Sequence, residues 1–125
     1  MTYQNKLVAN GVWSEEARLC AGGDLQNAIS LATSGNNTPT GAVVITGDMA
    51  VIGTAAAGTN SAILSNYGSG FLVVFNNTAV TVNVFPPTGG SINGLAANAS
   101  FPITANKSTT FITPDGLFWL AQHAG

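Results

Sequence analysis

The chain has 125 residues, of which 46% are hydrophobic and only 6% are charged, and its formal net charge is −2. Three scattered cations cannot neutralise a row of phosphates, so this composition excludes a nucleic-acid partner. No stretch approaches the roughly 18 uninterrupted apolar residues of a membrane helix, and one cysteine, Cys20, rules out an internal disulfide and a cysteine-ligated metal cluster.

The few charges are distributed unevenly, because residues 49–106 contain none. About one quarter of the residues in an ordinary soluble domain are charged. Here Thr, Ser, Asn, Ala and Gly take their place, and such short side chains let two β surfaces meet at little desolvation cost. We therefore expect a homo-oligomer, with a trimer as the expected form. A charge-poor β domain that stays monomeric is the alternative.

Residues 1–24 differ from the rest of the chain, because they have no clear β period and hold four charges before Asp24. Ser14 followed by two acids suits the start of one helical turn, and Gly22 with Gly23 would end it. We expect residues 1–24 to form a mostly irregular N-terminal arm and residues 25–125 to form a β domain. The arm is predicted to contact a partner through an aromatic and charged set, namely Tyr3, Trp13, Glu15, Glu16 and Arg18.

From residue 25 onward the pattern is strand, turn, strand. Leu25–Thr33 fits a helix or a strand, because its apolar residues satisfy both periods. Phe71–Phe75 is a continuous apolar run that predicts a strand buried on both faces. Val80–Phe85 alternates valine with polar residues, which is typical of a half-buried strand. The other predicted strands are Ala42–Thr46, Met49–Thr54, Ala62–Ser65, Ser91–Leu95, Ser100–Ile103, Thr109–Thr113 and Leu117–Ala121.

These segments predict an all-β fold of about eight to ten short strands. Their spacing is typical of a β-sandwich or a jelly-roll-like barrel. No tandem repeat is evident in the sequence, which disfavours a solenoid.

Candidate catalytic and metal-binding residues are scarce. His123 is the single imidazole and the third residue counted from the end of the sequence. The acids Asp48 and Asp115 each lie in a turn context that explains them locally. The sequence therefore predicts no enzyme, no catalytic residues, no metal site and no cofactor. A small hydrolase or lectin is the weakest alternative.

Residues 70 to 120 contain a series of features in an order that resembles a known protein module. The stretch has an apolar strand that ends in Asn, a "V-x-V-F/Y-P-x-x-G-x-x-I-N" segment and a terminal tryptophan strand. These correspond to Phe71–Asn77, Val82–Asn93 and Gly116–Trp119. This order resembles a β module of small structural proteins in tailed phages and prophages. The resemblance covers about half of the chain and names no catalytic residues.

The resemblance implies a virion structural protein, and specifically a capsid decoration (cement) subunit that binds and stabilises the outer phage capsid. Its partners would be other copies of the chain and the major capsid protein, with no nucleic acid and no membrane. It would assemble in the host cytoplasm and reside on the outer capsid surface. The alternative is a tail-fibre or spike-tip module that binds a host receptor or glycan, although the sequence has no heptad run or collagen-like repeat for a shaft.

Overall fold

Ten β-strands and no helix form the part of the chain that the computed structural model describes, residues 25–66 and 70–124. The predicted all-β class is therefore confirmed. The strands are β1 (Leu25–Ala32), β2 (Val43–Ile45), β3 (Met49–Thr54), β4 (Ser61–Leu64), β5 (Gly70–Asn76), β6 (Val82–Phe85), β7 (Ser91–Ile92), β8 (Phe101–Ile103), β9 (Ser108–Thr113) and β10 (Phe118–Ala124).

The strands form two sheets that enclose one apolar core. The first has six strands in the order β1-β3-β5-β9-β10-β7, and the second has four in the order β2-β4-β6-β8. Each sheet turns alternate side chains inward, as the two-residue period of a strand requires. The core contains buried side chains from both sheets, among them Ile45, Leu64, Leu72, Val84, Ile103, Phe111 and Trp119.

The first six strands wind as three coils. Each coil gives one strand to each sheet, so that β1, β3 and β5 are parallel neighbours, and so are β2, β4 and β6. In the larger sheet the aligned residues Leu25, Met49 and Val73 are 24 residues apart. The sequence shows no tandem repeat, yet in this part of the chain successive strands of each sheet are parallel neighbours. Each coil requires apolar residues at its inward positions but not the same residues in every coil. The loops that connect the strands also differ in length.

The remaining strands join this winding through three antiparallel pairs and one parallel pair, that of β7 with β10. β8 pairs with β6, and β9 lies between β5 and β10. Among the described strands, five of the eight pairings are parallel. A jelly roll is built from antiparallel Greek keys, so that finer expectation is not confirmed, whereas the two-sheet all-β fold is.

Asn76 joins three segments from a fully buried position at the end of β5. Its Nδ2 donates to the carbonyl oxygens of Val80 at 2.7 Å, Ile103 at 2.9 Å and Thr104 at 3.2 Å. Its Oδ1 accepts hydrogen bonds from the backbone N–H and the hydroxyl of Thr78. One amide thus holds the turn after β5 and the end of β8 together.

Asn93 directly follows β7, the short strand at one edge of the larger sheet. β7 has only two residues beside β10. Beyond it, the Asn93 side chain accepts from the N–H of Ala121 at 2.9 Å and donates to its carbonyl oxygen at 3.1 Å. The amide therefore continues the ladder where the strand stops.

Gly90 lies where the backbone after Pro87 meets the start of β10. A Cβ at Gly90 would lie 2.5 Å from the Leu117 carbonyl oxygen and 3.0 Å from that of Pro87. Because both are backbone atoms, Gly90→Ala must displace the β7–β10 contact. We expect it to lower the free energy of unfolding by about 2 to 3 kcal/mol in urea titrations.

The matched control is Gly89→Ala. Gly89 has a φ of +84° and open space around its Cβ position, so only backbone strain of about 1 kcal/mol is expected. Equal losses for the two variants would contradict the steric account of Gly90.

Candidate interaction surface

The residues predicted to bind a partner lie outside the described residues. Tyr3, Trp13, Glu15, Glu16 and Arg18 all belong to residues 1–24. Their role, and the division between an arm and a β domain, stay predictions.

The outer side of the six-stranded sheet carries a continuous apolar surface, which we call the outer apolar face. In β5, Leu72 and Val74 are buried, so alternation turns Phe71, Val73 and Phe75 outward. The same alternation operates in β3, β9 and β10. The face comprises Met49, Val51, Phe71, Val73, Phe75, Ile112, Phe118 and Leu120.

Strand register brings the most exposed members of this face into one row. Phe71 pairs with Ile112, and Ile112 pairs with Leu120 on its other side. These three side chains are 52%, 51% and 51% exposed. Cross-strand neighbours lie about 5 Å apart, so the row is a contiguous apolar ridge across β5, β9 and β10.

The next row along the same strands is partly polar. It contains Val73, Thr110 and Gln122, aligned by the same pairings. A shallow groove of about 330 Å³ runs beside it and is lined by Asn93, Thr110, Ile112, Leu120, Ala121 and Gln122. Hydroxyl and amide groups therefore border the apolar ridge, as they do at the rims of many interfaces.

No charged side chain belongs to the outer apolar face. The charged residues within the described ranges are Asp48, Lys107 and Asp115, which all lie between strands. Asp115 shapes the turn between β9 and β10, because its Oδ1 accepts the N–H groups of Leu117 and Phe118, both at 2.9 Å. These backbone hydrogen bonds lower the pKa of Asp115 below its ordinary value, the bond from Phe118 having the larger effect.

The opposite sheet is covered differently. Phe85 pairs with Ile63 on the outer side of the four-stranded sheet, yet only 6% of it is exposed. A hydrogen bond of 2.7 Å joins Asn83 to Asn37 on the same side. A pocket of about 400 Å³ remains, lined by Pro39, Thr40, Ile63, Pro86, Thr88 and Asn98. Loop residues therefore shield the part of this sheet around Phe85, although Val44, which pairs with Ile63, is 48% exposed.

The outer apolar face corrects one prediction from the sequence. Phe71–Phe75 was expected to be buried on both faces, but Phe71 is 52% exposed and Phe75 is 36% exposed. An apolar run predicts a strand but does not identify what covers its second face. The signal available in the sequence was the absence of charged residues from position 49 to position 106, a stretch that includes β3 and β5.

His123 has a structural environment rather than a recognisable catalytic one. It lies in β10, where its Nδ1 is 2.9 Å from the Thr109 hydroxyl. Its ring also packs against that of Phe101, with the centroids 4.8 Å apart. Within residues 25–66 and 70–124, no cluster of three or more His, Cys, Asp or Glu residues has the geometry of a metal site.

Comparison of the chain with protein-family models, curated proteins and solved structures gave no significant match. Among the described residues, no helix is long and apolar enough to cross a membrane. The resemblance to phage structural proteins therefore stays a prediction from the sequence motif.

Proposed function

We propose that this protein is a non-enzymatic structural subunit of a bacteriophage particle, where it binds the outer surface of the capsid and stabilises it. The observation that carries the proposal is the outer apolar face, which is open, uncharged and broad. Such a surface favours contact with another protein surface over chemistry on a small substrate. The phage setting rests on the sequence motif that runs from Val82 to Asn93.

The proposal divides the work between two parts of the chain. The β domain associates with other copies of itself, and residues 1–24 attach the assembly to the major capsid protein. Residues 1–24 hold five of the eight charges together with Tyr3 and Trp13. Aromatic side chains beside charges are typical of the few residues that dominate binding free energy at an interface.

The attachment step predicts a large effect of Trp13→Ala. Loss of one buried aromatic anchor costs about 2 kcal/mol, or a roughly 30-fold weaker dissociation constant. The measurement is binding of the full-length protein to purified capsids that lack it, by co-sedimentation. The matched control is Leu95→Ala, because Leu95 is an exposed apolar residue in the loop between β7 and β8. Equal binding by both variants would place attachment outside the arm.

A tail-fibre or spike-tip module that binds a host receptor or glycan is the second candidate. The three parallel coils favour it, because coiled β architectures extend in one direction and suit elongated assemblies. Electron microscopy of particles labelled with an antibody to this protein separates the two. Label over the capsid supports decoration, and label confined to the tail supports the fibre module.

A further inference from the structure

We infer that the outer apolar face is the surface through which copies of this chain pack against one another. The inference deepens the assembly part of the proposed function and rests on that part. It assigns a surface, a central row of residues and an occupant to the expected oligomer.

The size of the face is the first argument. Four of its eight members are about half exposed and the others less, and together they present on the order of 600 Å² of accessible apolar surface. The largest apolar patch on a typical monomer is about 300 to 600 Å². With the neighbouring Thr110 and Gln122, the face approaches the roughly 800 Å² per partner of a standard stable interface.

The charge pattern indicates which partner binds the outer apolar face. A membrane surface would favour basic residues around an apolar patch, and the outer apolar face has none. The chain's own residues 1–24 hold five charges, which would lose hydration without partners on this face. A second copy brings an equally uncharged apolar surface, so the contact buries apolar groups on both sides without stranding a charge.

The geometry of the face suits this occupant. Sheets pack face to face at about 10 Å when their side chains interdigitate, and the row of Phe71, Ile112 and Leu120 supplies a ridge for such packing. Symmetry places the same row on every copy. Two faces related by a two-fold axis, or three faces around a three-fold axis, both bury this row.

The test is the mass of the full-length protein in solution, by sedimentation equilibrium at micromolar concentration. The monomer mass is 12.6 kDa. We expect an oligomer for the unaltered chain. Ile112→Glu places carboxylates at the centre of the row in every copy, and we expect it to weaken the dissociation constant at least about 100-fold. Leu95→Glu introduces the same charge at an equally exposed apolar site off the face and should leave the oligomer intact.

A second variant guards against a folding defect. Ile112→Thr keeps a β-branched side chain in β9 and removes only apolar surface, so it should weaken association with an unchanged circular dichroism spectrum. A monomeric unaltered chain, or equal association of the Ile112 and Leu95 variants, overturns the inference. Capsid binding is measured separately. An oligomer that ignores capsids contradicts the proposed capsid binding alone. A monomer that binds capsids contradicts the self-association on which this inference rests and leaves the proposed capsid binding intact.

Discussion

Replacing Asn76 by aspartate should strongly destabilise the protein at neutral pH. The change removes the Nδ2 donor and points a carboxylate at the carbonyl oxygens of Val80 and Ile103, which now lie 2.7 and 2.9 Å from the amide nitrogen. A buried charge that loses its partners costs about 3 to 5 kcal/mol. That loss is a large fraction of the total stability of a domain, which is about 5 to 15 kcal/mol.

The aspartate variant should also gain stability as the pH falls. Burial and the facing carbonyl oxygens favour the protonated acid, so the pKa of this residue is higher in the folded state than in the unfolded state. Its penalty is therefore absent below the unfolded pKa and grows as the pH rises through and above that value.

Urea unfolding followed by circular dichroism at pH 3.5 and pH 7 measures this difference. The control is Asn83→Asp, which makes the same chemical change at a partly buried position in β6. It removes one exposed hydrogen bond, to Asn37, and should cost much less than Asn76→Asp. Similar stability of the two variants at pH 7 would show that Asn76 does not hold its three segments together.

Trp119→Ala should be the most damaging change in the apolar core. Trp119 is fully buried, packs edge to face on Phe111 with the ring centroids 6.4 Å apart, and donates its Nε1–H to the Gly116 carbonyl oxygen at 3.0 Å. Truncation leaves a large cavity and an unpaired carbonyl, and we expect the free energy of unfolding to fall by about 3 to 5 kcal/mol.

The neighbouring residue provides the control. Phe118 precedes Trp119 in β10, but its side chain faces outward and is 40% exposed. Phe118→Ala should therefore change the unfolding free energy of the monomer by less than about 1 kcal/mol while weakening self-association. Thermal and urea unfolding at low protein concentration distinguish the two residues. Equal destabilisation by the two changes would contradict the burial of Trp119 on one side of β10 and the exposure of Phe118 on the other.

Strand positions were largely predictable from the sequence, because alternation and turn residues act locally. Val80–Phe85 and Thr109–Thr113 were predicted within two residues of β6 and β9. Leu25–Thr33 fitted a helix or a strand, and the structure has a strand there because β3 pairs with it. Local propensity did not decide between the two, but a tertiary partner did.

Strand neighbours were not predictable by the same reasoning. Alternation identifies which side chains share a face, but it carries no information on whether the adjacent strand is parallel. The 24-residue spacing of Leu25, Met49 and Val73 joins three residues with different side chains, so no repeat was visible. The outer apolar face was missed for a related reason. Phe71 and Ile112 are apolar like core residues, and only the three-dimensional arrangement shows that nothing in the described chain covers them.

The Asn93 amide has a consequence for aggregation. Most proteins protect the exposed edges of their sheets with charged side chains, and this chain has almost none to use. At the β7 edge, both backbone groups of Ala121 are already occupied by the Asn93 side chain. Ala121 therefore offers no free ladder groups to a strand from another molecule, so a neutral side chain hinders fibril-like growth at this point of the edge.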